Sequence, residues 1–201
     1  TANKPELKLD PETDVVEFGG ERLGARAEFV YYLLHKPAGY VSATEDTREK
    51  TVLDLVPKDG RRNLFPVGRL DKDTEGLLLI TDDGQLAHEL LSPVKHVDKT
   101  YFVRVEGLVT EEAVRKLEEG IDIGEDKPTL PANVEIVGGS GFFSQKSGQE
   151  ASMSRVRVEN LPEVYTELHL TIREGKFHQV KRMMEAVGPP VIYLKRISMG
   201  P

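Results

Sequence analysis

Cysteine is absent from the 201 residues, which excludes disulfides, thiol nucleophiles and cysteine-bound metals and fits a reducing compartment such as the cytoplasm. No apolar run approaches the ~18 residues that a membrane-spanning helix needs, so no membrane partner is expected. The start lacks the basic-then-apolar pattern of a secretion signal. A nucleotide-binding loop, a redox motif and a metal-ligand set are missing as well, and the chemistry expected is cofactor-free. Positive charge is also in deficit. Lys and Arg number 27 against 34 Asp and Glu, a net of −7, which at first sight argues against a polyanionic partner. The acid is localised, however: residues 1–30 carry −3 and residues 110–130 carry −4, leaving the rest neutral. Within that remainder, residues 57–72 and residues 173–182 each carry +3. A polyanion meets local clusters at close range rather than the total charge.

The length suits one large domain, or one domain and a fragment, and Thr1 in place of Met suggests a piece of a longer chain. Residues 1–28 are polar and interrupted by Pro5, Pro11 and Gly19-Gly20, as in a linker or the exit of another module. From Phe29 the texture becomes globular. Phe29–Leu34 is β-prone, and Tyr40–Ala43 is expected to continue the sheet. Thr51–Val56 reads as a short helix, Leu77–Thr81 as a buried strand and Leu86–Leu91 as a helix stopped by Pro93. Further strands are expected at Thr100–Val105, Val134–Val137, Arg155–Val158, Leu168–Ile172 and Val191–Leu194, with a loop over Gly138–Ser154. Thr110 caps a helix with acids in its first turn and Gly120 ends it, and another helix runs from Gln179 to Val187. Strands with interspersed helices, in no strict alternation, predict an α+β fold: a mixed, mostly antiparallel central sheet with flanking helices.

The segment Phe65–Gly76 places three carboxylates, two cations and two glycines immediately before the strand at Leu77. Its plainest reading is a polar turn. Asp71, Asp73, Glu75 and Gly76 also match positions one, three, five and six of a calcium loop. Pro66 and Gly68 forbid the helix that should precede such a loop, and its twelfth position is the short Asp82. Paired carboxylates of a glycosidase are a weaker reading, because Asp71 and Asp73 share one loop.

Gly68-Arg69-Leu70-Asp71, followed by Thr74-x-Gly76-Leu77-Leu78-Leu79, resembles the signature of the pseudouridine synthases. Leu34–Gly39, Lys99-Thr100-Tyr101 and Glu174–Met183 resemble three further motifs of these enzymes in the same order. Ser92-Pro93, Lys99-Thr100-Tyr101 and His178–Arg182 are most similar to the RsuA branch, which modifies small-subunit ribosomal RNA. The likeness covers residues 29–201 as a catalytic domain, and residues 1–28 resemble the exit of the RNA-binding domain that leads such enzymes.

The resemblance implies isomerisation of a specific uridine to pseudouridine in 16S ribosomal RNA, free or in an assembly particle, by a cytoplasmic, monomeric bacterial enzyme without a cofactor. It places the key catalytic role on Asp71, a carboxylate suited to nucleophilic or basic work. Lys181 matches the basic residue that holds this aspartate, where the family often has Arg, and Arg182 is a neighbouring candidate. Tyr101 matches the tyrosine that stacks on the uracil and is a candidate to remove the proton from carbon 5, unless it is simply a core residue of its strand. Arg69 suits phosphate binding or filling the gap left by a flipped base, unless it forms a surface ion pair with Asp73 or Glu75. His178, at a helix start, is read as a cap or a phosphate contact without a catalytic role. Lys36, Arg61, Arg62, Lys72, Lys95, Lys99, Lys176, Arg182 and Arg196 are further candidate RNA contacts, individually weak. A binding module without activity and a synthase for another RNA are the competing readings.

Overall fold

The computed structural model describes residues 8–10, 14–23, 29–57, 63–92, 94–140 and 161–200. The chain divides into two compact units, residues 1–30 and 31–201. In the first, β1 (Val16–Phe18) and β2 (Glu21–Leu23) form an antiparallel hairpin. Gly19 and Gly20 turn it with φ of 62° and 85°, a left-handed pair that side chains disfavour.

The second unit is built on a seven-stranded sheet of β3 (Tyr31–Lys36), β4 (Phe65–Pro66), β5 (Glu75–Thr81), β6 (Lys99–Glu106), β7 (Asn133–Gly139), β8 (Tyr165–Ile172) and β9 (Val191–Met199). The order is β3-β5-β9-β6-β8-β7, with β4 lying along β5. Every pairing is antiparallel except β5 with β9. With the helices α1 (Gly84–Leu91), α2 (Glu111–Glu119) and α3 (Gln179–Val187), the molecule has the expected α+β class. Alternation along the strands puts Leu78, Ile80, Val103, Leu168, Leu170 and Leu194 in the core. Val180, Met183 and Met184 of α3 and Ala113 and Leu117 of α2 are buried as well.

Local chemistry explains the helix ends. Thr110 accepts a hydrogen bond from Ala113 N at 3.2 Å, Glu111 and Glu112 occupy the first turn, and Gly120 stands at the C-terminus of α2. Asp83 caps α1 through Leu86 N at 2.9 Å.

Some expectations change. Tyr40–Ala43 forms no strand, because only Val41 makes a bridge, to Thr51. The Thr51–Val56 helix is a single 3-10 turn, Val52–Leu55, in which Asp54 Oδ2 accepts from Thr51 N. The final strand runs five residues beyond Leu194, to Met199, because β6 pairs with it along that length. Gly138 and Gly139 belong to β7 rather than to the loop. The expected strand at Arg155–Val158, the loop from 141 to 154, and Pro93, Lys58, Arg61 and Arg62 lie outside the described residues.

Candidate active site

Residues 67–74 connect β4 to β5 and are tied down on both sides. Val67 N donates to Leu79 O at 2.7 Å. Ser42 Oγ donates to Leu70 O at 2.8 Å and accepts from Leu70 N at 3.0 Å. Lys36, the last residue of β3, is fully buried, and its ammonium donates to the carbonyls of Pro37, Asp71, Lys72 and Thr74 at 2.8–3.2 Å. Gly39 N donates to Lys72 O at 2.7 Å. The backbone on both sides of Asp71 is therefore held by the neighbouring strand and turn, and its side chain is delivered to one place.

That place is the mouth of a cleft of about 650 Å³, whose lining includes Ser42, Asp71, Tyr101, His178, Lys181 and Arg196. Asp71 Oδ2 lies 3.2 Å from Lys181 Nζ, and Oδ1 lies 3.4 Å from His178 Nε2. Lys181 also bridges to Asp73, at 2.6 and 2.9 Å to its two oxygens. This hydrogen bond holds the Asp73 carboxyl below the usual carboxylate range. Burial acts to lower the Lys181 pKa, but the bonds to Asp73 and Asp71 outweigh it and raise the value. The ammonium thus occupies the space between Asp71 and Asp73 that a calcium ion would need, and Glu75 is turned aside to accept from Tyr193 Oη at 2.8 Å.

Helix α3 presents Lys181 to this loop while Val180, Met183 and Met184 bury its inner side. The entry to α3 is braced by Gln179, whose amide oxygen accepts from Lys176 N at 2.9 Å and whose Nε2 donates to Glu174 Oε1 at 2.9 Å. His178 adopts a left-handed φ of 48° and stacks on Phe177 with ring centres 3.8 Å apart.

The structure brings Asp71, Tyr101, Lys181 and His178 to one cleft and sorts the remaining cations. Lys36 cannot meet RNA, because its ammonium is sealed inside the fold. Arg182 does not compete for Asp71: it is engaged by Glu125 at 2.6 Å, Phe177 O at 3.1 Å and Ile123 O. Lys99 and Arg196 are buried and point into the cleft floor, away from any outer phosphate track. Lys72 pairs with Glu49 at 2.7 Å, and Lys176 donates to Lys127 O and Pro128 O at 2.7 and 3.1 Å. Arg69 is exposed, lines the cleft and has no ion-pair partner among the described residues, so the pairing with Asp73 or Glu75 is not formed. Lys95 is exposed. Sequence reasoning passed over Ser42, which braces the loop from 28 residues away, and Phe177, which lines the cleft at 73% exposure. The setting of Phe177 between Lys176 and His178 was the available signal.

Comparison with known proteins gives the family. The family described as RNA pseudouridylate synthase matches residues 30–186. The uncharacterized RNA pseudouridine synthase YtzG of Bacillus subtilis is 47% identical over 96% of this chain and 71% of its own length. Ribosomal large subunit pseudouridine synthase B of the same organism is 38% identical over 92% of this chain and 66% of its own length. Ribosomal small subunit pseudouridine synthase A of Yersinia pestis is 37% identical over 96% and 72%. A crystal structure of a pseudouridylate synthase, 34% identical, superposes with a TM-score of 0.67 over 96% of this chain and 72% of that one. The matched region contains the Asp71 loop, the Tyr101 strand and nearly all of α3, and the chain belongs to the RNA pseudouridylate synthase family, enzymes that isomerise uridine in RNA.

Proposed function

We propose that this synthase converts one uridine of bacterial small-subunit ribosomal RNA to pseudouridine, with Asp71 as its essential group. The observation that carries the reading is the Asp71 carboxylate at the cleft mouth, contacted on one oxygen by Lys181 and approached on the other by His178. Pseudouridine formation breaks the ribose–N1 bond, turns the ring and rejoins it through C5. A carboxylate held beside that bond supplies an electron pair to the ribose or to the ring. Lys181 holds the carboxylate in place, Tyr101 stacks on the extruded base, and Arg69 meets the flanking phosphates or the gap left in the RNA. Lys72, Lys176 and His178 extend the electrostatic track around the mouth. Residues 1–28 serve as the exit of an RNA-binding module, and the enzyme acts as a monomer in the cytoplasm on free RNA or an assembly particle.

The small-subunit target rests on the motif likeness to RsuA and on relatives named for that subunit. The relative named for the large subunit, at 38% identity, favours a second reading in which the target lies in large-subunit RNA. Mapping pseudouridine by carbodiimide-dependent primer stops in both RNAs, free and as partly assembled particles, tests both. A single new site in small-subunit RNA, absent with Asp71→Asn, is the expected result. A site in large-subunit RNA overturns the target, and an active Asp71→Asn variant overturns the role of Asp71.

A further inference from the structure

Three buried side-chain nitrogen or oxygen atoms among the described residues have no hydrogen-bond partner, and two of them, Thr74 Oγ1 and Arg196 Nη2, belong to residues that line the Asp71 cleft. Arg196 is the more demanding case. It is 2% exposed, its Nε donates to Leu77 O at 2.8 Å, and it forms no ion pair among the described residues. A charge withdrawn from water without a counter-charge is costly, and its neighbour adds to the cost. Lys99 also lines the cleft and is buried, with its Nζ on Val97 O at 3.0 Å. Burial, and then the positive charge of Arg196, lower its pKa. Two cations at the floor of one cleft make a place where negative charge is stabilised when it arrives.

The sheet register says what arrives there. Arg196 is the β9 partner of Tyr101 on β6, and both side chains face the cleft. A base stacked on Tyr101 would enter the same cleft that the Arg196 side chain lines from the adjacent strand. RNA phosphates stay on the outside of an extruded nucleotide and meet exposed cations such as Arg69, whereas the ring is the part that goes deepest.

We propose that Arg196 is a catalytic residue, stabilising the negative charge that develops on the uracil ring when its bond to the ribose breaks. The inference rests on the reading of the Asp71 cleft as the place of isomerisation. As the N1–C1′ bond breaks, its electron pair leaves with the base and spreads over N1, O2 and O4, while C1′ becomes electron-poor beside Asp71. After the ring turns, C5 donates a pair to C1′, the C5 proton is lost, and N1 takes up a proton, so that no atom or electron is gained or lost overall. From the first bond change until C5 rejoins C1′, the ring carries the negative charge of the broken bond. A donor that binds the anion more strongly than neutral uridine lowers the barrier rather than simply tightening binding.

The test is single-turnover kinetics on the RNA identified by mapping, carrying either uridine or 5-fluorouridine at the target. Loss of the starting nucleoside is followed by mass spectrometry after digestion. Fluorine withdraws electron density, so the departing ring needs less help from the protein. With uridine, Arg196→Gln is expected to slow conversion on the order of 10²-fold, as for loss of one anion-stabilising donor, with little change in RNA affinity. With 5-fluorouridine the same deficit is expected to shrink several-fold. Equal deficits with both bases, or a wild-type rate in Arg196→Gln, overturn the proposal while leaving Asp71 untouched. Should Arg196→Gln fail to fold by circular dichroism, Arg196→Lys carries the same comparison, because it keeps the charge and loses the fork of donors. An Asp71→Asn variant that still converts the RNA overturns the underlying reading instead.

Discussion

Lys36 shows how a residue type can mislead when its surroundings are not known. A lysine beside a Pro-x-Gly turn suggests an RNA contact, yet this ammonium is fully buried and donates to four carbonyls. Burial lowers its pKa, and Asp73, Asp71 and Glu75 partly offset the effect. Lys36→Met removes a donor that all four carbonyls share, leaving Lys72 O only Gly39 N and Asp71 O only Thr74 N. A loss of about 2–4 kcal/mol in denaturant unfolding is expected, together with a slower reaction because the Asp71 loop is no longer anchored. Unchanged stability would show that the loop is held without the Lys36 ammonium. Lys181 supports a pH prediction at the same scale. The folded Asp73 pKa is lowered from 3.8 and that of Lys181 is raised from 10.5. The Asp73 contribution is therefore complete above its unfolded value and fades as pH falls through the lower folded one. The Lys181 contribution is complete below 10.5 and fades as pH rises through its raised value. The stability difference between wild type and Lys181→Met should be flat from about pH 5 to 9, shrink below about pH 4, and stay within ~1 kcal/mol because Asp73 is exposed. Thermal melts across pH check this, and a difference that grows in acid would contradict it.

At the scale of elements, the parallel contact of β5 with β9 is the joint on which the cleft depends. It consists of Glu75 with Lys195 and Gly76 with Arg196. A Cβ on Gly76 would stand 2.1 Å from Arg196 O, and Gly76 has a φ of 105°. Gly76→Ala must therefore either part the strands or strain the backbone. We expect a loss of about 3 kcal/mol or more, read as a lower melting temperature, and a larger fall in activity than stability alone explains, because Arg196 and the Asp71 loop shift together. A melting temperature within a degree or two of wild type would refute the close approach. The elements themselves were largely legible in the sequence. The bounds of α3, the Thr110 cap and the strands at Leu77 and Leu168 follow from periodicity and cap chemistry contained within a few residues. The two-residue β4 was not legible, since two residues carry no period, and neither was the length of β9, which is set by its partner β6.

For the whole molecule, the distribution of charge matters more than its sum. The net −7 is accounted for by residues 1–30 and 110–130, while Arg69, Lys72 and Lys176 line the cleft. With about three cations meeting phosphates, log affinity for a single-stranded RNA target should fall with log salt at a slope near −2. Arg69→Gln should reduce that slope by about 0.7 without changing the modified site. Filter binding at several salt concentrations measures both, and a slope near zero would mean that recognition does not run through these cations.

The sequence by itself determined the family, through four motifs in order, and it determined the α+β class and the ends of the main helices, because periodicity, caps and turn residues act over a few positions. Only the tertiary structure decided which of the adjacent cations Lys181 and Arg182 faces Asp71. Arg182 is claimed by Glu125, 57 residues away, and no local pattern contains that information. The same holds for the burial of Lys36, Lys99 and Arg196. Whether a cation is a surface contact, a strut or a charge stored in a cleft depends on which distant carbonyls and carboxylates the folded sheet brings within about 3 Å of it.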